Sequence, residues 1–550
     1  MRSKKYWTTS KDGCYTEDRW FSPSREEKEM YSKVFSAGLS GLEAHVIQVE
    51  ADVSNGLPVF QMVGVLASAV KEARERVRIA LQNAGYRFPA KRITINLSPA
   101  DLRKNGSGFD LPIAISLLAA FGMIPGEKLN KVLVVGELGL DGTVDGIRGT
   151  LSMAVMGKKE GFHTLVLPQE NAAEAGLVDG MRVVGVETIS EAIDYIRTGA
   201  VVHREAIVCP DERKQGDLYD GEPDFSEIYG QERVKQALET AVSGGHNVLM
   251  IGAPGTGKTM LARRIPGIMP RLSKEEALEL TKIYSVAGML RGDASVMSRR
   301  PFRAPHHTVT PAALAGGGRE PFPGEVTLAH HGVLFLDELP EFRRNTLEIL
   351  RQPMEEGKIQ LSRLGKCYEY PAKMTVVGAM NPCKCGYFPD LNRCRCTLGQ
   401  VQGYLSRLSE PLLDRIDICV ETERQEGLFG GERGEDSAHI RQRIVRTRQI
   451  QKERYSGERI ELNSELGGHL LEKYCFLNKK ERRLLEELVK RTGVSPRGVQ
   501  RLLRVARTLA DMKEKERIGE GELLEASAYK VVSHKYWTSA DVYDGERMRG

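Results

Sequence analysis

Between residues 252 and 259 the chain reads Gly252-Ala253-Pro254-Gly255-Thr256-Gly257-Lys258-Thr259. The apolar run 247–251 precedes it and Met260-Leu-Ala-Arg-Arg follows, so the order is buried strand, glycine-rich turn, helix start. Glycines let successive backbone N–H groups turn inward around a triphosphate, and the helix start adds N–H groups that have no partner within the helix. Lys258 can neutralise the β- and γ-phosphates, and the Thr259 hydroxyl can ligate Mg²⁺. A glycine-rich turn with no ligand is the plainer alternative, and the flanking strand and helix argue against it.

Other residues bear on the same chemistry. Val333-Leu-Phe-Leu-Asp337-Glu338 is an apolar run ending in two carboxylates, about 80 residues beyond the glycine-rich turn. Asp337 suits the Mg²⁺ shell and Glu338 the polarisation of an attacking water. A third apolar run ends at Asn381, before Pro382. Its amide could orient water against a γ-phosphate, or cap a turn. Ser495-Pro496-Arg497 has a capping residue and then a proline suited to the first helical turn. Arg497, Arg501 and Arg504 then share one face, opposite Val499, Leu502, Ala506 and Leu509. Arg497 is the candidate to reach phosphate, and a solvated basic face is the alternative. Tyr229 and Gly230 are assigned to the same nucleotide site.

Cys383-Lys-Cys385 and Cys394-Arg-Cys396 account for four of nine cysteines. In a reducing compartment two close pairs suggest metal more than disulfides, and four thiolates can surround Zn²⁺ tetrahedrally. The one-residue spacing is tighter than usual, and four reduced thiols are the alternative. His306, His307, His330 and His331 also invite a metal reading. Adjacent histidines generally point different ways, and no acidic or cysteine partner stands at ligand spacing. They are therefore read as loop residues near nucleotide or DNA.

These groups need a scaffold. Residues 1–30 read as a variable tail. Residues 31–205 alternate strands (44–51, 92–97, 132–137, 164–167) with helices (68–84, 111–121, 150–159), an α/β pattern. The polar stretch 206–223 reads as a linker, 224–425 as the nucleotide-binding unit, and 435–535 as a helical region. Basic and acidic residues number 79 and 74, a net +5, so DNA contact would have to come from local patches. The start carries no apolar signal-peptide core, and the apolar stretch 111–125 is too short to span a bilayer. A cytoplasmic protein without membrane contact is the expectation.

Together these motifs resemble the magnesium-chelatase-like AAA+ family of bacteria, the YifB/ComM group, from about Phe35 to about Met512. The most specific segments are Arg300-Pro-Phe-Arg-Ala-Pro-His-His307, Pro323-Gly-Glu-Val-Thr-Leu-Ala-His-His-Gly332 and Leu336-Asp-Glu-Leu-Pro-Glu-Phe342. Gln231-Glu-Arg-Val-Lys-Gln-Ala-Leu-Glu239 and Ala69-Val-Lys-Glu-Ala-Arg-Glu-Arg-Val77 add to them. The resemblance implies a Lon-protease-like α/β domain, an AAA+ core with a parallel sheet, and a C-terminal helical lid. It implies ATP and Mg²⁺ as cofactors, a homo-hexameric ring, and a motor acting on single-stranded or branched DNA. Such a motor would be a branch-migration helicase of recombination or natural transformation. Asn381 would be sensor 1 and Arg497 sensor 2. Arg415, between Asp414 and Asp417, would be a finger inserted into the neighbouring subunit's site, with a plain ion pair as the alternative.

The segment 356–366 fits an extra hairpin of the clade, with Arg363 and Lys366 as DNA contacts or as an exposed charged turn. A metal-chelatase motor is the second reading, although the chelatase ATPase subunit lacks the Lon-like domain. An ATP-dependent protease is the third. The Lon nucleophile position falls on Asp110 and the lysine position near Leu151, neither of which can do that chemistry. Ser107 could serve only with a lysine the sequence does not offer.

Overall fold

The structure is a computed structural model that describes residues 30–200, 223–290, 296–318, 321–363, 366–390, 392–423, 433–492 and 494–537. All of the expected tail but Met30, and all of the expected linker but Pro223, lie outside the described residues.

The first half is built on a seven-stranded sheet. Its order is Val59–Val63, Arg92–Ser98, Glu43–Ser54, Tyr31–Ser40, Val132–Val134, Thr164–Pro168, Arg182–Val186. Ile47, Val49, Ala51 and Val53 point to one side at a period of two and are buried. The helix Asp110–Ala120 lies against these strands with every residue buried. Tyr31–Ser40 is a central strand that periodicity does not reveal, because serines take core positions. Ser32 sits there by donating its hydroxyl to the Ser116 carbonyl at 2.6 Å.

The second half has a five-stranded sheet, parallel throughout. The order is Phe302–Arg303, Val333–Leu336, Thr375–Met380, Val248–Ile251, Ile418–Glu421. The strands 248–251 and 333–336 are buried along their whole length, as helix-covered parallel strands are. Ile251 pairs with both Met380 and Glu421, so Gly252, Asn381 and Thr422 emerge together at the carboxyl edge. Between the strands 333–336 and 375–380 the chain makes the antiparallel hairpin Lys358–Arg363 and Lys366–Pro371, which pairs Arg363 with Lys366.

Four longer helices close the chain: Ser437–Arg454, Lys479–Thr492, Pro496–Met512 and Glu520–Trp537. Ser495 caps the third, accepting from the Gly498 N–H at 3.2 Å. Val499 is only half-buried, and Arg501 is buried where the sequence pattern placed it on the basic face. The last helix lacks a clean apolar stripe and is not evident in the sequence. It returns to the core, where Lys535 and Tyr536 bond Glu421 at 2.7 and 2.5 Å. His246, before the strand Val248–Ile251, joins the core to the helices. It bonds Asp417 at 3.0 Å on one side and Thr508 at 2.8 Å on the other.

Candidate nucleotide-binding site

The glycine-rich turn depends on backbone that only glycine adopts cheaply. Gly255 and Gly257 have φ of +78° and +82°. The helix Lys258–Ile268 starts directly after, with its unpaired N–H groups facing the turn. Lys258 is buried and folded inward. Its ammonium donates to the carbonyls of Gly252 at 2.7 Å and Ala253 at 2.9 Å, and to Asn381 Oδ1 at 3.2 Å. Burial pushes this ammonium below the ordinary lysine range, against a weaker pull upward from Asp337. Phosphate oxygens would supply the negative charge that three neutral acceptors do not.

Thr259 Oγ1 donates to Asp337 Oδ2 at 2.8 Å, and Asp337 Oδ1 accepts the Glu338 N–H at 2.9 Å. A hydroxyl beside a carboxylate is a hard oxygen donor pair, which fits Mg²⁺. Glu338 has φ +52°, a conformation unfavourable for a residue with a Cβ, and such strain concentrates at functional sites. Its carboxylate lies exposed, 3.4 Å from His307 Nδ1. His307, read from the sequence as a loop residue near nucleotide or DNA, lies at this site, and so does Thr422, whose hydroxyl bonds Thr256 at 2.7 Å and which no sequence motif marked. Among the described residues no hydrogen bond joins Tyr229 or Gly230 to the turn. The neighbouring Gln231 instead bonds the Glu423 backbone beyond the last strand.

The candidate arginines stand elsewhere. Asn247 donates its amide to the Arg415 carbonyl at 3.1 Å, at the amino end of the strand whose carboxyl end carries Gly252. Those ends are about 17 Å of extended chain apart. Arg415 points away from the turn. Its guanidinium meets Glu355 at 2.7 Å and the carbonyls of Arg351 and Pro411 at 3.1 and 2.6 Å. Arg415, Arg497, Arg501 and Arg504 line one cavity of about 560 Å³, which none of residues 252–259 enters. Arg497 is exposed there, while Arg501 lies between Asp414 and Asp417 at 3.6 and 3.8 Å.

The hairpin residues Arg363 and Lys366 are both exposed. In the first half, Asp110 is buried and gripped by Arg76 through two bonds of 2.7 and 3.0 Å. Leu151 is core. Ser107 is bonded to Glu137, and Lys104, three residues earlier, is buried with its ammonium on the Pro99 carbonyl. Ser107 and Lys104 border one cavity but are each engaged elsewhere, so the geometry holds no Ser–Lys pair there.

The histidines at 330 and 331 behave unlike their sequence reading. Their rings are 3.8 Å apart, and Glu279 from a distant helix reaches both, at 3.2 and 3.0 Å. His330 Nδ1 accepts the Lys373 N–H at 2.9 Å, so its Nε2 carries the proton facing Glu279 and has no lone pair for a metal. The Glu279 carboxyl is held far below its usual range here, with His331 Nε2 hydrogen-bonded to it at 3.0 Å and His330 Nε2 close beside it. The four cysteines of the tetrad, by contrast, converge, with sulfurs within 4.8 Å of one another.

A glycine-rich turn after the fourth strand of this five-stranded parallel sheet, an acidic pair ending the strand next but one and a polar residue ending the strand between them are the arrangement of an AAA+ core. Models of "Magnesium chelatase, subunit ChlI" match residues 224–428, of "Subunit ChlI of Mg-chelatase" residues 49–171, and of "Magnesium chelatase, subunit ChlI C-terminal" residues 434–530. The YifB protein of Salmonella typhimurium is 42% identical over 501 residues, covering 90% of this chain and 95% of its own. Competence protein ComM of Haemophilus influenzae is 39% identical over 510 residues, covering 91% and 97%. The magnesium-chelatase 38 kDa subunit of Rhodobacter capsulatus is 29% identical over 177 residues, covering 29% and 50%. The chain belongs to the magnesium-chelatase-like AAA+ family, within the YifB/ComM group. Among the described residues no helix is long and apolar enough to cross a membrane.

Proposed function

We propose that this protein is an ATP-driven ring motor acting on DNA, a branch-migration translocase of recombination or competence. One observation carries the reading. The groups fit for a triphosphate gather at the carboxyl edge of the sheet, while Arg415 and Arg497 share a cavity at the other end of the strand Val248–Ile251. A chain divided in this way has half a site on each of two faces, and a second copy completes both.

Lys258, Asn381 and the backbone N–H groups of the turn hold the triphosphate of one protomer. Thr259 and Asp337 hold Mg²⁺, which when bound neutralises phosphate charge. Glu338, kept in place by its strained backbone and by His307, takes the proton of the attacking water. Arg415 of the next protomer meets the charge that develops on the transferring phosphoryl group, and Arg497 beside it contacts the same phosphates. Arg363 and Lys366, exposed at the hairpin end, contact the DNA backbone within a homo-hexamer. The link to competence comes from the name of the Haemophilus relative.

ATP turnover with and without single-stranded and forked DNA tests the reading, alongside particle mass with saturating ATP. Stimulation of several-fold in a multimeric species supports it. A strict monomer with DNA-indifferent turnover overturns it. A chelatase motor is the second reading, favoured by the family-model matches. Recovery of a chelatase partner in a pulldown, with no effect of DNA, would select it.

A further inference from the structure

We propose that Cys383, Cys385, Cys394 and Cys396 hold one zinc ion, and that this zinc knuckle braces the phosphate loop. The sulfur positions carry the first half. Cys383 and Cys385 Sγ are 3.3 Å apart, Cys383 and Cys394 3.8 Å, Cys385 and Cys394 3.5 Å. Four sulfurs at 2.3 Å from a tetrahedral centre are about 3.8 Å from each other, so these sulfurs surround a single ion. They are too close for the ligands of a polynuclear cluster and too far apart for disulfides, and all four cysteines are free.

The surroundings suit thiolates. The Phe388 N–H points at Cys383 Sγ at 3.4 Å. Such a donor orients and stabilises metal-bound sulfur. Cys383 is fully buried, and the other three pack against the same core as Phe388, Tyr404 and Tyr536. Zinc with four thiolates carries a net charge of −2, and Lys384, Arg393 and Arg395 stand exposed around the pairs to offset it.

Contacts with the nucleotide site carry the second half. The knuckle starts two residues after Asn381, whose amide touches Lys258. Gly386, between the cysteine pairs, has φ +84°, and a Cβ there would fall 2.3 Å from Pro254 Cδ. The knuckle backbone therefore lies flat against the phosphate loop. On its other side Phe388 packs on Tyr536 at 6.4 Å, and Tyr536 bonds Glu421 at the end of the strand beside the loop. A metal that fixes the 383–396 turn fixes one wall of the loop, and without it the loop must be ordered when ATP binds.

The full-length protein, purified without added metal, is analysed for zinc and iron per chain. It is then stripped under reducing conditions and titrated with Co²⁺. One zinc per chain is the expected content, with thiolate-to-cobalt charge transfer and tetrahedral d–d bands on titration. Binding of a fluorescent ATP analogue should weaken several-fold on stripping and recover with zinc. Cys385→Ser/Cys394→Ser should lose both the metal and the recovery. Gly386→Ala should keep one zinc per chain yet bind the analogue more weakly, because it disturbs the contact and spares the sulfurs. Iron in place of zinc, or no metal and no tetrahedral cobalt spectrum, overturns the site. Unchanged analogue affinity in both the stripped protein and Gly386→Ala overturns the brace. Metal content is independent of DNA and turnover, so its failure is distinct from failure of the motor.

Discussion

Arg415 Nη2 lies 2.7 Å from Glu355 Oε1, three residues before the strand Lys358–Arg363 that leads out along the hairpin. If Arg415 serves a neighbouring site, a γ-phosphate must take it from Glu355. The residue released sits at the foot of the hairpin, which gives nucleotide state a mechanical route to Arg363 and Lys366. Arg415→Ala should cut ATP turnover by about 10³, with nucleotide affinity nearly unchanged. Glu355→Gln should raise basal turnover and shrink the stimulation by DNA. Wild-type turnover in Arg415→Ala, assayed in the assembled state, would remove Arg415 from the mechanism.

The position of Lys258 makes nucleotide binding pH-dependent. Its ammonium is depressed by burial in the free protein, and phosphate restores the charged form. The free protein therefore loses this proton at a lower pH than an ordinary lysine does. As pH climbs through that range, ATP affinity should fall and binding should take up a proton. Calorimetry in buffers of different ionisation enthalpy reads the uptake directly. Lys258→Ala should abolish both binding and uptake, while Glu338→Gln should bind ATP and turn it over at a small fraction of the native rate.

Much of the nucleotide site was legible because its parts are local. The turn 252–259, the Asp337-Glu338 pair and Asn381 each end an apolar strand, and parallel strands bring such ends to one edge. His307 was read only as a loop residue near nucleotide or DNA, and Thr422 was not legible, since nothing local marks a residue that reaches a site from the end of a neighbouring strand. Glu279 joins His330 and His331 from about 50 residues away, so ligand spacing in sequence could not reveal it. The first strand, Tyr31–Ser40, is not legible because two of its buried positions are serines, Ser32 and Ser36, which break the apolar alternation. The separation of Arg415 from the phosphate loop required the paired register of 248–251 with 418–421.

Asp110, the position the sequence resemblance aligned with a Lon nucleophile, is fully buried, and its grip on Arg76 is structural. Arg76→Ala leaves a carboxylate with no accessible surface and no cation, which should cost about 3–5 kcal/mol. Hydrogen exchange along the helix Asp110–Ala120 should rise accordingly. Arg76→Met/Asp110→Leu should recover much of the loss, because an apolar pair of similar volume needs no charge compensation. Asp110→Ser should degrade no casein with ATP, since Lys104 is committed to the Pro99 carbonyl. Caseinolysis by that variant would show a working dyad and overturn the structural reading.

The hairpin makes the sharpest claim about DNA. Arg363 and Lys366 face each other across its end, both exposed, so their charges can approach backbone phosphates without displacing any packed side chain. Each phosphate contact with a single strand releases counterions, and two lost contacts lower the slope of log affinity against log salt by about 1.4. Arg363→Ala/Lys366→Ala should therefore bind single-stranded DNA more weakly and with that shallower salt dependence, uniformly across sequences. DNA-stimulated turnover should fall with it while ATP affinity holds. A weaker affinity with the original slope would mean that the pair shapes the hairpin and contacts no phosphate. An unchanged affinity would place the DNA on another surface of the protein.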